Sequence, residues 1–337
     1  MSVPGTERGA VPLSAAVQAG LRGTGVASLS AGVKRLMDAY RSGAVPAAPV
    51  LASGRDVAAY AAYRMPATVV ATAAAFAEMR RALPDWAPPR VLDFGAGTGG
   101  ASWAIAGSLD TVALTLLEQS AEAIRLGQAI FAASGSPSLR VASWRSWQLG
   151  SAATAGDADL AIAAYVLGEL TERQQELLVD LAAQCAPAVL LVEPGTPPGH
   201  RRILAARARL LAAGFTIAAP CPHQADCPLA VPGDWCHFAA RLQRSSLHRQ
   251  AKGVELSYED EKFSYLAAVR PSAGVPDVPA GRVVRRTQRR KSLVLLDLCT
   301  ADGRSVQLPI GKSRGELYRR ARKTSWGDRW EEHVTPG

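Results

Sequence analysis

The chain has 337 residues, 48% hydrophobic and 20% charged, enough for one large domain or two of ordinary size around a sizeable core. No uninterrupted apolar run reaches the roughly 18–20 residues that span a bilayer, and the opening Met-Ser-Val-Pro-Gly-Thr-Glu-Arg lacks the apolar core of a secretory signal, so a cytoplasmic protein without membrane contact is expected. The net charge of +9 is concentrated in residues 281–330, where fourteen Arg and Lys face four acids; a basic block on a near-neutral body is the footprint of a polyanion partner or of a solvated face.

Taken in order, residues 1–12 are expected to be disordered. Residues 13–87 are expected to form a helical region: Val33, Leu36, Met37 and Tyr40 recur at helical spacing after a possible Ser30 cap, and a second helical run covers 69–80. Between them stands Tyr60-Ala-Ala-Tyr-Arg-Met-Pro66, which reads as a packing corner. From Arg90 onward, strand-like runs at 90–94, 112–118, 139–143, 160–164 and 188–193 alternate with helical ones such as 121–133 and 172–185. This alternation predicts a parallel sheet with ligand chemistry at the carboxyl ends of its strands. A Pro- and Cys-rich insertion follows at 219–238, then a helical stretch at 239–252 and a strand at 262–270 that returns to the sheet. Residues 271–281 read as a linker. The basic block 282–330 holds strands at 292–299 and 305–310 and a helix at 315–323, a small β-rich module.

The stretch Val-Leu-Asp-Phe-Gly-Ala-Gly-Thr-Gly-Gly at 91–100 is a buried-strand pattern that breaks into a glycine-rich turn. Gly95, Gly97 and Gly99 allow positive φ and close backbone approach, and the helix that follows turns its unpaired amides toward a ligand. Glu118 ends the next strand 21 positions after Gly97, where a ribose-binding carboxylate belongs. Asp93 precedes the first glycine, and the order Asp-x-Gly-x-Gly-x-Gly favours S-adenosylmethionine over a dinucleotide. The cofactor residues are therefore Asp93, Gly95, Ala96, Gly97, Gly99, Glu118 and, at the end of the fourth strand, Tyr165. The fold expected is α/β: a doubly wound, mostly parallel, class I methyltransferase-like sheet with an N-terminal helical region and a basic C-terminal module. No catalytic residue is readable. Residues 164–169, Ala-Tyr-Val-Leu-Gly-Glu, replace the Asn/Asp-Pro-Pro-aromatic motif of base N-methyltransferases, and no cysteine is placed as a carbon-5 nucleophile.

Cys221, Cys227 and Cys236 lie close in sequence and Cys299 follows after 62 intervening residues, whereas Cys185 ends an apolar helix as a buried thiol. Disulfides fit a cytosolic chain poorly. Gaps of five and eight residues are not the close pairs of a zinc finger. Four soft thiolate ligands suit a cubane iron–sulfur cluster; zinc with His223 or His237, or no metal at all, stays open at this point. For the basic block, Arg282, Arg285, Arg286, Arg289, Arg290, Lys291, Arg319 and Arg320 are the expected RNA contacts, because Arg and Lys gain affinity by releasing phosphate counterions.

Residues 60–66, 91–100, 165–170 and 191–195, the Cys-Pro-His…Cys-Pro-Leu…Asp-Trp-Cys-His run and Lys262-Phe-Ser-Tyr265 together resemble the methyltransferase-like family associated with the small ribosomal subunit, which includes a mitochondrial assembly factor and bacterial relatives. The resemblance covers about residues 13–323, and the cysteine run is its most specific part. It implies that Cys221, Cys227, Cys236 and Cys299 ligate a [4Fe–4S] cluster, with zinc as the alternative. It further implies binding to small-subunit rRNA and ribosomal proteins during assembly, by a chain expected to be monomeric. The competing expectation is an active S-adenosylmethionine-dependent rRNA methyltransferase.

Overall fold

A computed structural model describes residues 11–42, 51, 53–152 and 154–332. Most of the expected disordered start, residues 1–10, lies outside the described residues, as does the side chain of Tyr40. Four helices open the chain: α1 (Leu13–Gly20), α2 (Val26–Ser42), α3 (Gly54–Tyr63) and α4 (Met65–Ala82). The Ser53 hydroxyl caps α3 by accepting from the Asp56 amide at 3.3 Å. Val17, Leu29, Val33 and Leu36 pack against Ala58, Ala59 and Ala62 in one buried cluster. At the crossing of α2 and α3 a side chain on Gly32 would lie 2.6 Å from the Ala59 Cβ, so the small residue sets how closely these helices meet. Ser30 falls inside α2 and does not cap it; its hydroxyl donates to the Gln250 carbonyl at 3.4 Å.

The α/β unit follows with β1 (Arg90–Phe94), α5 (Gly100–Ala106), β2 (Ala113–Glu118), α6 (Ala121–Ala132), α7 (Pro137–Arg140), β3 (Ser143–Ser146), β4 (Leu160–Ala164), α8 (Glu172–Cys185), β5 (Ala188–Pro194), α9 (Pro197–Ala212), β6 (Thr216–Ala219), β7 (Phe238–Gln243), α10 (Ser246–Lys252) and β8 (Tyr258–Val269). The strand order is β3-β2-β1-β4-β5-β8-β6, with β7 added to β8. Strands β1 to β5 pair in parallel, and β8 runs antiparallel between β5 and β6. The central strands are buried on both faces, which explains their continuous apolar runs. Phe76, Met79 and Ile105 cover one face; Leu178, Val179, Ile203 and Leu210 cover the other.

Two sequence expectations are corrected here. The strand expected at 139–143 is displaced to β3, after the short helix α7: Pro137 sits in the first turn of α7, and β3 is an edge strand with a largely exposed face, so it lacks an apolar run. The helix expected at 239–252 is split. Residues 238–243 form β7, with Phe238 and Leu242 buried, because they pair with an extension of β8 at 258–263. Helix α10 begins after Ser245, whose hydroxyl accepts from the His248 amide at 3.1 Å. Tertiary pairing here overrides the helical preference of Ala-Ala-Arg-Leu-Gln.

The C-terminal module is a separate antiparallel sheet of β9 (Gly281–Val283), β10 (Gln288–Arg289), β11 (Leu293–Thr300), β12 (Ser305–Gly311) and β13 (Arg329–Trp330), backed by α11 (Glu316–Lys323). Val283, Val294, Leu296, Leu298, Ile310, Tyr318, Ala321 and Trp330 form its own core. The expected linker thus ends where β9 begins, placing Arg282 inside a strand.

Candidate functional site

The glycine turn follows β1, and its amides are organised by two buried acids. Asp93 is 1% exposed, and its carboxylate accepts from the Ser102 hydroxyl at 2.7 Å and the Ser102 amide at 3.2 Å, tying β1 to α5. Glu118 accepts from the Gly97 amide at 2.8 Å through one oxygen and from the Ser120 amide at 2.7 Å through the other. Each carboxylate oxygen offers two acceptor positions, so Glu118 keeps capacity for a ligand hydroxyl. Gly95, Gly97 and Gly99 all have positive φ, with Ala96 buried between them. A Cβ on Gly95 would lie 2.8 Å from Val166, and one on Gly99 would lie 2.5 Å from Phe131. Gly99→Ala is expected to destabilise the fold by about 2–4 kcal/mol, from left-handed strain plus overpacking, measurable as a lowered denaturant midpoint.

Tyr165, at the end of β4, also has a left-handed backbone, φ 62°, uncommon for a bulky residue. Its hydroxyl donates to Glu261 at 2.8 Å, and the Arg64 guanidinium both pairs with Glu261 at 3.2 Å and lies 4.9 Å from the Tyr165 ring centroid. Nothing in the local sequence joins Arg64, Glu261 and Tyr165; only the approach of α4, with Arg64 just before its start, to β8 does so. Burial pushes the Glu169 carboxyl up to about 8, helped by the nearby charges of Glu118 and Glu193. Burial likewise pushes Asp93 up to about 7, against the hydrogen bonds from Ser102. A carboxyl raised in the folded state makes stability fall as pH rises from its unfolded value near 4 to its folded value. Asp93 therefore contributes stability that is lost as pH rises from about 4 to about 7, while buried His200, pushed down to about 4, contributes in the opposite sense; Asp93→Asn should remove the first contribution alone, which chemical unfolding at several pH values measures.

The second site is a cavity between the sheet and the C-terminal module. Cys221, Cys227, Cys236 and Cys299 all line it, with Arg207, Arg282 and apolar side chains including Leu229, Phe238 and Val284. Cys227, Cys236 and Cys299 pack around Leu229 and Val284. Cys299 comes from β11, whereas the other three belong to the insertion after β6, so the thiols bridge the two units. Burial raises all four thiols, and for Cys236 the proximity of the other three adds to the effect. His223 approaches Cys299 at 3.2 Å through Nε2, with Nδ1 3.1 Å from the Ala225 carbonyl. Among the described residues no three His, Cys, Asp or Glu side chains converge as a ready-made metal group. Cys185, half-buried at the end of α8, takes no part in the cavity.

The expected RNA contacts separate into two groups. Arg282 is corrected: at 2% exposure it is buried, donates to the Pro220 and Gly327 carbonyls at 3.0 and 2.9 Å and pairs with Glu78, so it is a structural and cavity-lining residue. Arg285 pairs with Asp234, and Arg289 donates to the Arg322 and Thr324 carbonyls at the end of α11. Arg286, Arg290, Lys291, Arg319 and Arg320 are exposed; Arg319 pairs with Glu316 and Arg320 with Glu332. Lys312 and Arg314 join this surface, because the Lys312 amide donates to the Ser292 carbonyl at 2.9 Å and brings the turn after β12 beside Lys291.

The strand order, the acid before a three-glycine turn and the acid ending β2 define the class: a class I methyltransferase-like α/β protein with an appended β module. Comparison with known proteins then fixes the family. The chain belongs to the Rsm22 family, described as mitochondrial small ribosomal subunit Rsm22, whose model matches residues 54–331. It is 30% identical over 292 residues to the human ribosome assembly protein METTL17, mitochondrial, covering 80% of this chain and 61% of that protein. It is 28% identical over 179 residues to the Rsm22-cox11 tandem protein 2, mitochondrial, of Schizosaccharomyces pombe, covering 42% of this chain and 24% of that one. The chain therefore spans less than two thirds of the length of either relative. Among solved structures, magnesium protoporphyrin IX methyltransferase from Synechocystis PCC 6803 with bound SAH aligns at TM-score 0.38 and 16% identity, over 69% of this chain and 93% of that one. The expected cytoplasmic location is overturned by these relatives, which are mitochondrial, as is the family description. Among the described residues no helix is long and apolar enough to cross a membrane.

Proposed function

We propose that the protein is an assembly factor of the small ribosomal subunit, with S-adenosylmethionine at the glycine turn, a [4Fe–4S] cluster at the four cysteines and rRNA on the basic module. It acts as a monomer whose further partners are ribosomal proteins, and its working units are residues 13–87, 88–270 and 282–330. The observation that carries the reading is the meeting of Cys221, Cys227 and Cys236 with Cys299 in one cavity at the seam between the sheet and the basic module. Holding a cluster there fixes the RNA-binding module against the α/β unit, and losing it frees that module. Assembly would then respond to iron supply and oxidation.

The donor set fits the cluster. Thiolates are soft ligands for iron, and a cubane takes one thiolate per iron, so its ligands ring a volume; a zinc ion needs its donors gathered about one point. Cys221, Cys227, Cys236 and Cys299, which line a cavity of about 30 Å³, would hold the cluster. When bound, the cluster supplies a cross-link between β11 and the insertion. At the glycine turn Asp93 and Glu118 would hold S-adenosylmethionine, with Tyr165 at the rim. Glu118, which keeps acceptor capacity beside its bonds to the Gly97 and Ser120 amides, would take the ribose hydroxyls. Small subunits and rRNA from cells lacking the protein test the function. Stalled small subunits with every methyl mark retained support an assembly factor, and loss of one mark would establish the rival methyltransferase.

A further inference from the structure

We infer that Arg207 is the counter-ion of the cysteine centre, a positioning residue that makes the cavity selective for a dianionic tetrathiolate; the inference rests on the cluster proposed above. Arg207 lies on α9, is 5% exposed and lines the cavity with the four cysteines. One guanidinium nitrogen donates to the His223 and Ala225 carbonyls at 3.1 and 2.7 Å. Its Nε is buried without a hydrogen-bond partner, and among the described residues no carboxylate pairs with it. Among the described residues no acid lines the cavity. A buried cation without a counter-ion is strongly penalised, so a fold that retains one implies an anion that belongs beside it. Besides the Tyr265 phenol, the lining groups able to become anionic are the four thiols.

The proposed cluster supplies such an anion. Four thiolates around a [4Fe–4S]2+ core carry two net negative charges. The cavity holds two guanidiniums: Arg207 and Arg282, which stands opposite Cys299 in the β9–β11 register. Arg282 already pairs with Glu78, which leaves Arg207 as the cation without another partner. Reduction by one electron from dithionite gives a [4Fe–4S]1+ core and a third negative charge. Arg207 stabilises that state more than the oxidised one, and thereby raises the reduction potential.

The test is a dithionite titration of the anaerobically purified full chain, followed by absorbance and electron paramagnetic resonance, in the unsubstituted protein, Arg207→Met and Arg207→Lys. In Arg207→Met the ratio of reduced to oxidised cluster at a fixed potential should fall at least tenfold, about 59 mV for one electron. Arg207→Lys, which keeps the charge and gives up the paired bonds to the 223–225 loop, should stay near the unsubstituted ratio. An unchanged ratio in Arg207→Met, or an equal fall in both variants, overturns the inference in favour of a tie to that loop. If Arg207→Met emerges without iron while Arg207→Lys retains it, the charge is required and the inference holds; iron lost from both overturns it. An unsubstituted protein lacking iron and sulfide would fell the cluster itself, a separate result.

Discussion

With the proposed cluster at the four cysteines, Cys299→Ser should emerge without iron and with the C-terminal module loosened from the sheet. Cys299 is the one cavity thiol contributed by β11, so its loss would remove one ligand of the proposed cluster and with it the cross-link that cluster would make between the two units. Ligand binding free energy in metal sites is folding free energy, so the expected loss is on the order of several kcal/mol, read as a lower unfolding midpoint and faster proteolysis near residues 271–281. Cys236→Ser should behave alike, since Cys236 lines the same cavity as the other three. Cys185→Ser should leave iron content and stability of the module unchanged, because Cys185 does not line the cavity. Retention of a full iron complement by Cys299→Ser would remove the module from the centre.

Reversing Arg290, Lys291 and Lys312 to glutamate should lower affinity for small-subunit rRNA at least a hundredfold at physiological salt. These cations are exposed, and no salt bridge to an acid is formed by them among the described residues. Every phosphate that is no longer neutralised should reduce the slope of log affinity against log salt by about one, so the triple variant should bind more weakly and with a flatter salt dependence. Arg282 and Arg289 behave differently, since both are spent on the fold: Arg282→Gln should lower stability, and Arg289→Gln should loosen the end of α11. Unchanged binding and slope in the triple variant would place the RNA elsewhere.

Much of this was legible in the sequence where local pattern and chemistry coincide. The glycine turn announces itself because positive φ needs glycine, and Asp93 and Glu118 stand at strand ends that the apolar runs define. The four cysteines could be grouped by count and spacing, although their meeting depended on β11 reaching back to the insertion. What stayed hidden was set by tertiary packing. Arg207 is one of several arginines in α9, and only its burial and its missing counter-ion distinguish it. Arg282 looks like part of a surface basic run until β9 turns it inward. Strand β7 has a helical composition and becomes a strand through pairing with β8.

Iron and acid-labile sulfide per chain, determined after purification without oxygen, test the central claim most directly. A brown protein with broad absorbance near 400 nm and about four iron and four sulfide per chain is the result predicted for thiolate-bound cubane iron. A colourless protein carrying one zinc, or no metal, would contradict it.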